Sequence, residues 1–129
     1  MGQPAAKKGD RVVATDIHIE LVGSGNVPTP IPNPFNGIID GSLSSNVNIM
    51  GKPAATVEST ATNTPAHSPK AGQFQKSPKN KGKITVGSAT VKINGKKAAR
   101  NGDTATTCND PADQPAGKVV ASGTVNIGG

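Results

Sequence analysis

The sequence predicts a small all-β fold built from three copies of one short motif. The chain has 129 residues with no Trp or Tyr and two Phe, so large side chains cannot fill a thick interior. Its 16 Gly and 11 Pro separate short runs of Val, Ile and Thr, a pattern typical of short strands joined by many turns. A Val-x-Ile-x-Gly-Lys-x-Ala-Ala motif recurs, and a repeat of this kind sets the architecture of a chain. We expect one domain over residues 1–129.

Two copies of the motif are continuous, and the third is divided between the chain ends. The continuous copies cover residues 47–57 and 91–103. The third has its strand at 122–129 and its Pro-Ala-Ala segment at 3–10. If the last strand runs in space into the first segment, three similar units close a ring with approximate threefold symmetry. Such a pseudo-threefold object fits a partner that is itself threefold symmetric.

The stretch after the first Pro-Ala-Ala segment has the alternation of a strand. Over residues 11–22, Ile17 and Ile19 fall on one face, and Asp16 and His18 fall on the other. A period of two residues places alternate side chains on opposite faces of a sheet. We therefore predict a β-strand here.

The next stretch, about 23–46, contains prolines at alternate positions. Proline cannot donate a hydrogen bond to a neighbouring strand, so this spacing argues against a central strand. We expect an extended surface loop anchored by apolar residues, which either pack locally under the loop or form a contact surface for a partner. The residues concerned are Pro28, Pro30, Pro32 and Pro34, with Ile31, Phe35, Ile38 and Ile39 as the anchors.

A second loop is expected at about 70–83, where five lysines lie close together. The whole chain has a formal charge of +6, which is compatible with nucleic acid, an anionic membrane or an acidic protein as partner. Proteins that bind single-stranded nucleic acid stack its bases on aromatic side chains, and this chain is only 2% aromatic. We therefore expect a solvated basic loop and no nucleic-acid partner. A basic module for nucleic acid or an anionic surface is the alternative function.

The N-terminal residues have no apolar core, so we expect no signal peptide and synthesis in the cytoplasm. No apolar run approaches the roughly 18 residues that a membrane span requires. The chain has a single cysteine, which excludes an internal disulfide.

Histidine and cysteine are the scarcest chemically active residues, and they occur at similar distances after the repeats. His18 lies twelve residues after Ala6, His67 twelve after Ala55, and Cys108 nine after Ala99. In a pseudo-threefold object, equivalent positions converge near the axis. Two imidazoles and one thiolate form a donor set that favours zinc. A bound ion would also add folding free energy to a domain with little core.

A closed zinc site needs a fourth ligand. Asp16, two residues before His18, and Asp110, two residues after Cys108, are candidates, and water is a third. Taken singly, a His on a strand or a lone Cys is usually a packed residue, but the repeat spacing favours the metal interpretation. A Cys–His nucleophilic pair would need an oriented base and an oxyanion site, and no such motif surrounds Cys108. We expect no enzymatic activity.

The repeated segments resemble the signature of PAAR-repeat proteins. The similar stretches are Gly-Lys-Pro-Ala-Ala at 51–55, Gly-Lys-Lys-Ala-Ala-Arg-Asn-Gly-Asp at 95–103, and Pro-Ala-Ala-Lys-Lys-Gly-Asp at 4–10. Thr56 and Lys97 stand where the family usually has Arg and Pro. The resemblance implies a small conical β fold whose base sits on a trimeric β-helical spike. Such a protein sharpens the tip of a contractile injection system, either type VI secretion, a phage tail or an extracellular particle.

The resemblance also implies one structural zinc ion near the apex, with His18, His67 and Cys108 as the matching ligands. One copy would cap each spike trimer, assembled at the tip of the particle and delivered outside or into the target cell. The target membrane would be contacted transiently, and effector cargo would bind elsewhere or travel in the tube. Since the chain ends after the closing strand, we expect no fused effector domain, with the stretches at about 23–46 and 70–83 as loop insertions.

Overall fold

The computed structural model describes residues 2–128, and these residues form an all-β fold, as the composition predicts. No helix occurs among them, so none of the described segments provides a long apolar helix of the kind that crosses a membrane. In chain order the strands are β1 (Gln3–Pro4), β2 (Arg11–Val22), β3 (Val27–Gly41), β4 (Asn48–Ile49), β5 (Lys52–Pro53), β6 (Thr60–Asn63), β7 (Gln73–Phe74), β8 (Lys81–Ile84), β9 (Lys92–Ile93), β10 (Lys96–Lys97), β11 (Thr104–Thr107), β12 (Gln114–Val120) and β13 (Asn126–Ile127).

Six of these strands close into an antiparallel barrel. The order is β2, β3, β6, β8, β11 and β12, and β12 pairs again with β2. The barrel therefore consists of three hairpins, namely β2–β3, β6–β8 and β11–β12. Val12, Ala61 and Ala105 lie six residues after the second alanine of their repeats, and all three are buried in the core. Closure removes the open edges that short strands would otherwise expose.

Three two-stranded hairpins form a plate at one end of the barrel. They are β4–β5, β9–β10 and β13–β1, and the last of these joins the two ends of the chain. The second alanines of the repeats link them in a cycle: the amide of Ala6 donates to the carbonyl of Ala99, Ala99 donates to Ala55, and Ala55 donates to Ala6, at 2.9–3.1 Å. This alanine ring confirms the predicted threefold closure. Gly129, the last residue of the divided copy, lies outside the described residues, as does Met1.

A second, smaller apolar cluster lies in the plate itself. It repeats one isoleucine and one alanine from each hairpin: Ile49 and Ala54, Ile93 and Ala98, Ile127 and Ala5. The second alanines instead join the barrel core, where Phe35, Ile39 and Ile84 are the largest apolar side chains. The first alanine of each Ala-Ala pair thus faces the plate cluster, and the second faces the barrel core.

The prediction of a loop over 23–46 is wrong for residues 27–41, which form β3. This strand pairs with β2 along the whole of β2, from Val27 opposite Val22 to Ile38 opposite Arg11. The prolines are tolerated because β6 pairs with β3 only from Gly37 onward, which leaves the edge beside the prolines open. On that edge the ammonium group of Lys70 donates to the carbonyl of Pro32 at 2.8 Å. Among the expected anchors, Phe35 and Ile39 are fully buried.

The inner face of β2 is apolar at Val12 and becomes polar over residues 16–20. Asp16, His18 and Glu20 are buried, whereas Ile17 points outward and is 36% exposed. The Glu20 carboxylate accepts the backbone N–H groups of residues 70–72 at 2.8–3.1 Å. These hydrogen bonds hold the pKa of Glu20 below its ordinary value, and the bond from the Lys70 backbone has the largest effect.

The basic stretch at 70–83 is accordingly anchored at both ends. Its backbone is held at Glu20, β7 pairs with Glu20 and Leu21, and its last residues enter the barrel as β8. The prediction of a loop is wrong for residues 81–83, which belong to β8 because they pair with both β6 and β11. The side chains of the five lysines are exposed.

Candidate metal centre

The three barrel hairpins bring four potential metal ligands together. Asp16 and His18 project from the same face of β2, His67 follows β6 in the chain, and Cys108 comes directly after β11. One ligand atom from each of the four residues lies within 4.8 Å of every other. All four side chains are at least 98% buried. The structure therefore places the three residues selected by repeat spacing in one cluster and adds Asp16.

Asp16 is oriented so that one carboxylate oxygen faces the cluster. Its Oδ1 accepts hydrogen bonds from the Thr107 hydroxyl at 2.6 Å and from Asn109 Nδ2 at 3.4 Å. Its Oδ2 lies 2.9 Å from His67 Nε2 and 3.4 Å from Cys108 Sγ. Because Oδ1 is already held from behind, Oδ2 is the oxygen available to an ion.

Asp110, the other candidate for fourth ligand, lies behind His18. Its Oδ2 is 3.5 Å from His18 Nδ1 and accepts the backbone N–H of Ile19 at 2.8 Å. Among the described residues, His18 Nδ1 is a buried polar atom without a hydrogen-bond partner. On the other side of the ring, His18 Nε2 lies 3.7 Å from Cys108 Sγ. Coordination through Nε2 would leave the proton on Nδ1, directed at this carboxylate, an arrangement common behind metal-bound histidines.

His67 is held by two asparagines. Its backbone N–H donates to Asn80 Oδ1 at 2.8 Å, and the same oxygen accepts from Asn63 Nδ2 at 3.0 Å. Asn63 Nδ2 also lies 3.2 Å from His67 Nδ1. The ring packs on Phe35, with centroids 6.2 Å apart, and on His18 at 5.0 Å. These contacts aim Nε2 at Asp16.

The environment of Cys108 opposes ionisation of the thiol unless a cation is present. Burial, together with the nearby Asp16 carboxylate, raises the pKa of Cys108 to about 11. A bound cation reverses this preference, since metal binding displaces the thiol proton. Two imidazoles, a thiol and a carboxylate, buried and converging, fit the tetrahedral N, S and O ligation of Zn²⁺.

Sequence reasoning missed the residues that orient these ligands. Thr107, Asn109, Asn63 and Asn80 hold Asp16 and His67. For Thr107 and Asn109 the available signal was their position on either side of Cys108, at the end of a short strand. Asn80 is separated from His67 by a loop, so nothing local in the sequence indicates that contact.

The plate, the barrel and the buried cluster together define a class of protein. In this class a single chain presents three equivalent hairpins at one end and holds a group of potential metal ligands inside the barrel. The family model described as PAAR motif matches residues 34–108 and 74–129, which is more than half of the chain. The chain belongs to this family, so it is a spike-tip protein of contractile injection systems, a structural class. No curated protein sequence matches the chain significantly.

Proposed function

We propose that this chain caps and sharpens the trimeric β-helical spike of a contractile injection system, one copy per trimer, and helps the spike to puncture the target envelope. The observation that carries the proposal is the alanine ring, in which Ala6, Ala55 and Ala99 exchange backbone hydrogen bonds in a closed cycle. Through it, one chain offers three equivalent hairpins. A trimer is the partner whose end offers three matching surfaces.

The plate supplies an apolar contact repeated around the axis. Val47, Val91 and Val125 occupy equivalent positions in the three hairpins. Val47 is half-buried, while Val91 and Val125 are 36% and 41% exposed. Covering these side chains and the short hairpin edges with a spike would stabilise both partners, because open edges and exposed apolar groups would be buried.

At the end of the barrel opposite the plate, β2 and β3 form a long two-stranded ribbon, which would be the foremost part of the particle. β12 pairs with β2 only over Arg11–Val13, yet β2 and β3 continue as a pair to Val22 and Val27. From Val13 to Val22 the ribbon extends by about 30 Å at roughly 3.3 Å per residue. β7 and the hydrogen bonds to Glu20 brace its far part.

We propose one structural Zn²⁺ on Asp16, His18, His67 and Cys108, at the root of this ribbon. Asp16 and His18 belong to the ribbon, whereas His67 and Cys108 come from the other two barrel hairpins. An ion on these four side chains would cross-link the ribbon to both neighbours and contribute folding free energy. Axial load on the ribbon would then be shared by all three hairpins.

The proposal is tested by native mass spectrometry of the chain mixed with its cognate spike trimer. We expect one chain per trimer, and we expect Val91→Asp to abolish the complex because the charge would be buried in the contact. Val27→Asp is the matched control, since Val27 is 59% exposed at the far end of the ribbon. Three chains per trimer, or equal loss with both variants, would contradict the proposal.

A further inference from the structure

A cavity of about 480 Å³ opens beside the four candidate metal ligands. Asn33 and Asn36 of β3 line one wall, and residues 63–70 line the other. His67 also lines the cavity, and its Nε2 lies 2.9 Å from Asp16 Oδ2. Asn33 stands directly opposite Asp16 in the pairing of β2 with β3. Of the four candidate ligands, His67 lines the cavity and the other three do not, so the cavity meets the cluster at this side chain.

His67 differs from the other three ligands in its position. Asp16 and His18 lie within β2, and Cys108 follows β11 directly, so strands of the barrel hold all three. His67 belongs to the segment between β6 and β7, and its neighbours Ala66 and Ser68 are exposed. It is the ligand that separates the cluster from the cavity.

We propose that this cavity is the route by which a hydrated divalent cation reaches the site, and that His67 is the last ligand to bind. The inference rests on the metal centre under Proposed function. An ion with six waters occupies roughly 200 Å³, at about 30 Å³ per water, which is less than the cavity holds. The amide side chains of Asn33 and Asn36 offer hydrogen bonds to such waters. Asp16, His18 and Cys108 take the ion first, and His67 then closes the site.

Lys70 places a positive charge on the outer part of this route. Its side chain is exposed, and its ammonium group is held 2.8 Å from the carbonyl oxygen of Pro32. A cation that approaches through the cavity is repelled by this charge, and the repulsion is screened by salt. Lys70→Gln should therefore accelerate metal uptake, with a larger effect at low ionic strength.

Three alanine-to-tryptophan variants test the route. Ala66 lines the cavity, Ala112 lies in the loop after Cys108, and Ala89 is remote from the cluster; all three are exposed, so the fold tolerates the change. Zn²⁺ uptake and its release to a chromogenic chelator are followed by stopped flow. We expect Ala66→Trp to slow both by about tenfold, which corresponds to about 1.4 kcal/mol in the barrier, with zinc content unchanged. Ser68→Phe is a second block of the same wall.

The outcomes separate the route from the metal centre. The route is overturned if Ala66→Trp and Ser68→Phe take up and release Zn²⁺ at wild-type rates, or if Ala112→Trp slows these steps instead. Either result leaves the metal centre in place. A folded wild type that takes up no Zn²⁺ overturns the centre and the route together. The binding order is tested by the initial rate of Zn²⁺ association, which His67→Ala should leave at least as fast as wild type and His18→Ala should slow. Slowed association in His67→Ala overturns that order.

Discussion

The alanine ring gives the sharpest prediction about stability. Ala6, Ala55 and Ala99 are fully buried in the barrel core, and their backbones bond to one another. Replacing any one of them by valine adds two methyl groups where the packing is closed. Overpacking of this kind costs about 1–3 kcal/mol. For a chain of this length, 1 kcal/mol corresponds to about 3–5 °C in Tm, so we expect Tm to fall by about 3–15 °C.

The assay is thermal and urea unfolding, followed by circular dichroism, of three separate alanine-to-valine variants. Because the three positions are equivalent in the ring, each variant should show a cost in the same range of about 1–3 kcal/mol. Ala89→Val is the control, since Ala89 is exposed and a change there should stay within about 0.5 kcal/mol of wild type. Wild-type stability in all three ring variants, or a large cost at only one, would refute the threefold packing.

Three further changes test other parts of the structure. Cys108→Ser should abolish tight Zn²⁺ binding, because the hydroxyl is a far weaker metal ligand than a thiolate, and titration calorimetry with Zn²⁺ measures this; retained affinity would remove Cys108 from the ligand set. Glu20→Ala should accelerate hydrogen exchange at the amides of residues 70–72, which lose their acceptor, while exchange at Ala105 in the core stays slow. Phe35→Ala should lower the free energy of unfolding by about 3–5 kcal/mol in urea titrations, since a buried aromatic ring is removed; a cost below about 1 kcal/mol would contradict its place in the core.

The threefold architecture could be predicted because it depends on a local motif. The Ala-Ala pairs sit in short hairpins whose sequences nearly repeat, so even the copy divided between residues 3–10 and 122–129 could be matched. The same logic placed His18, His67 and Cys108 near one another, because each follows its repeat at a similar distance. Their role as ligands stays a prediction until metal is measured.

The path of β3 could not be predicted from the rule that disfavours proline in strands. That rule concerns strands bonded on both sides, whereas the alternate prolines of residues 28–34 lie beside a single partner. Which edge stays open depends on how far β6 extends, and β6 is distant in sequence. Whether residues 28–34 can form a strand thus depends on a long-range pairing, that of β3 with β6.

The fourth ligand was ambiguous for a related reason. Asp16 and Asp110 each lie two residues from another candidate ligand, so spacing alone cannot distinguish them as the fourth ligand. The structure separates them through contacts made across the barrel. Thr107 holds Asp16 with one oxygen toward the cluster, whereas Asp110 accepts the amide of Ile19 and faces the far side of His18.

The most direct test of the account is the zinc content of the purified chain, measured by inductively coupled plasma mass spectrometry. Convergence of the three barrel hairpins on one site predicts close to one zinc per chain in the wild type. It predicts strong loss of zinc in His67→Ala and in Asp16→Ala, but not in Asp110→Asn, because Asp110 lies behind His18. A well-folded wild type without metal, or a His67→Ala variant that keeps a full complement of zinc, would contradict the account.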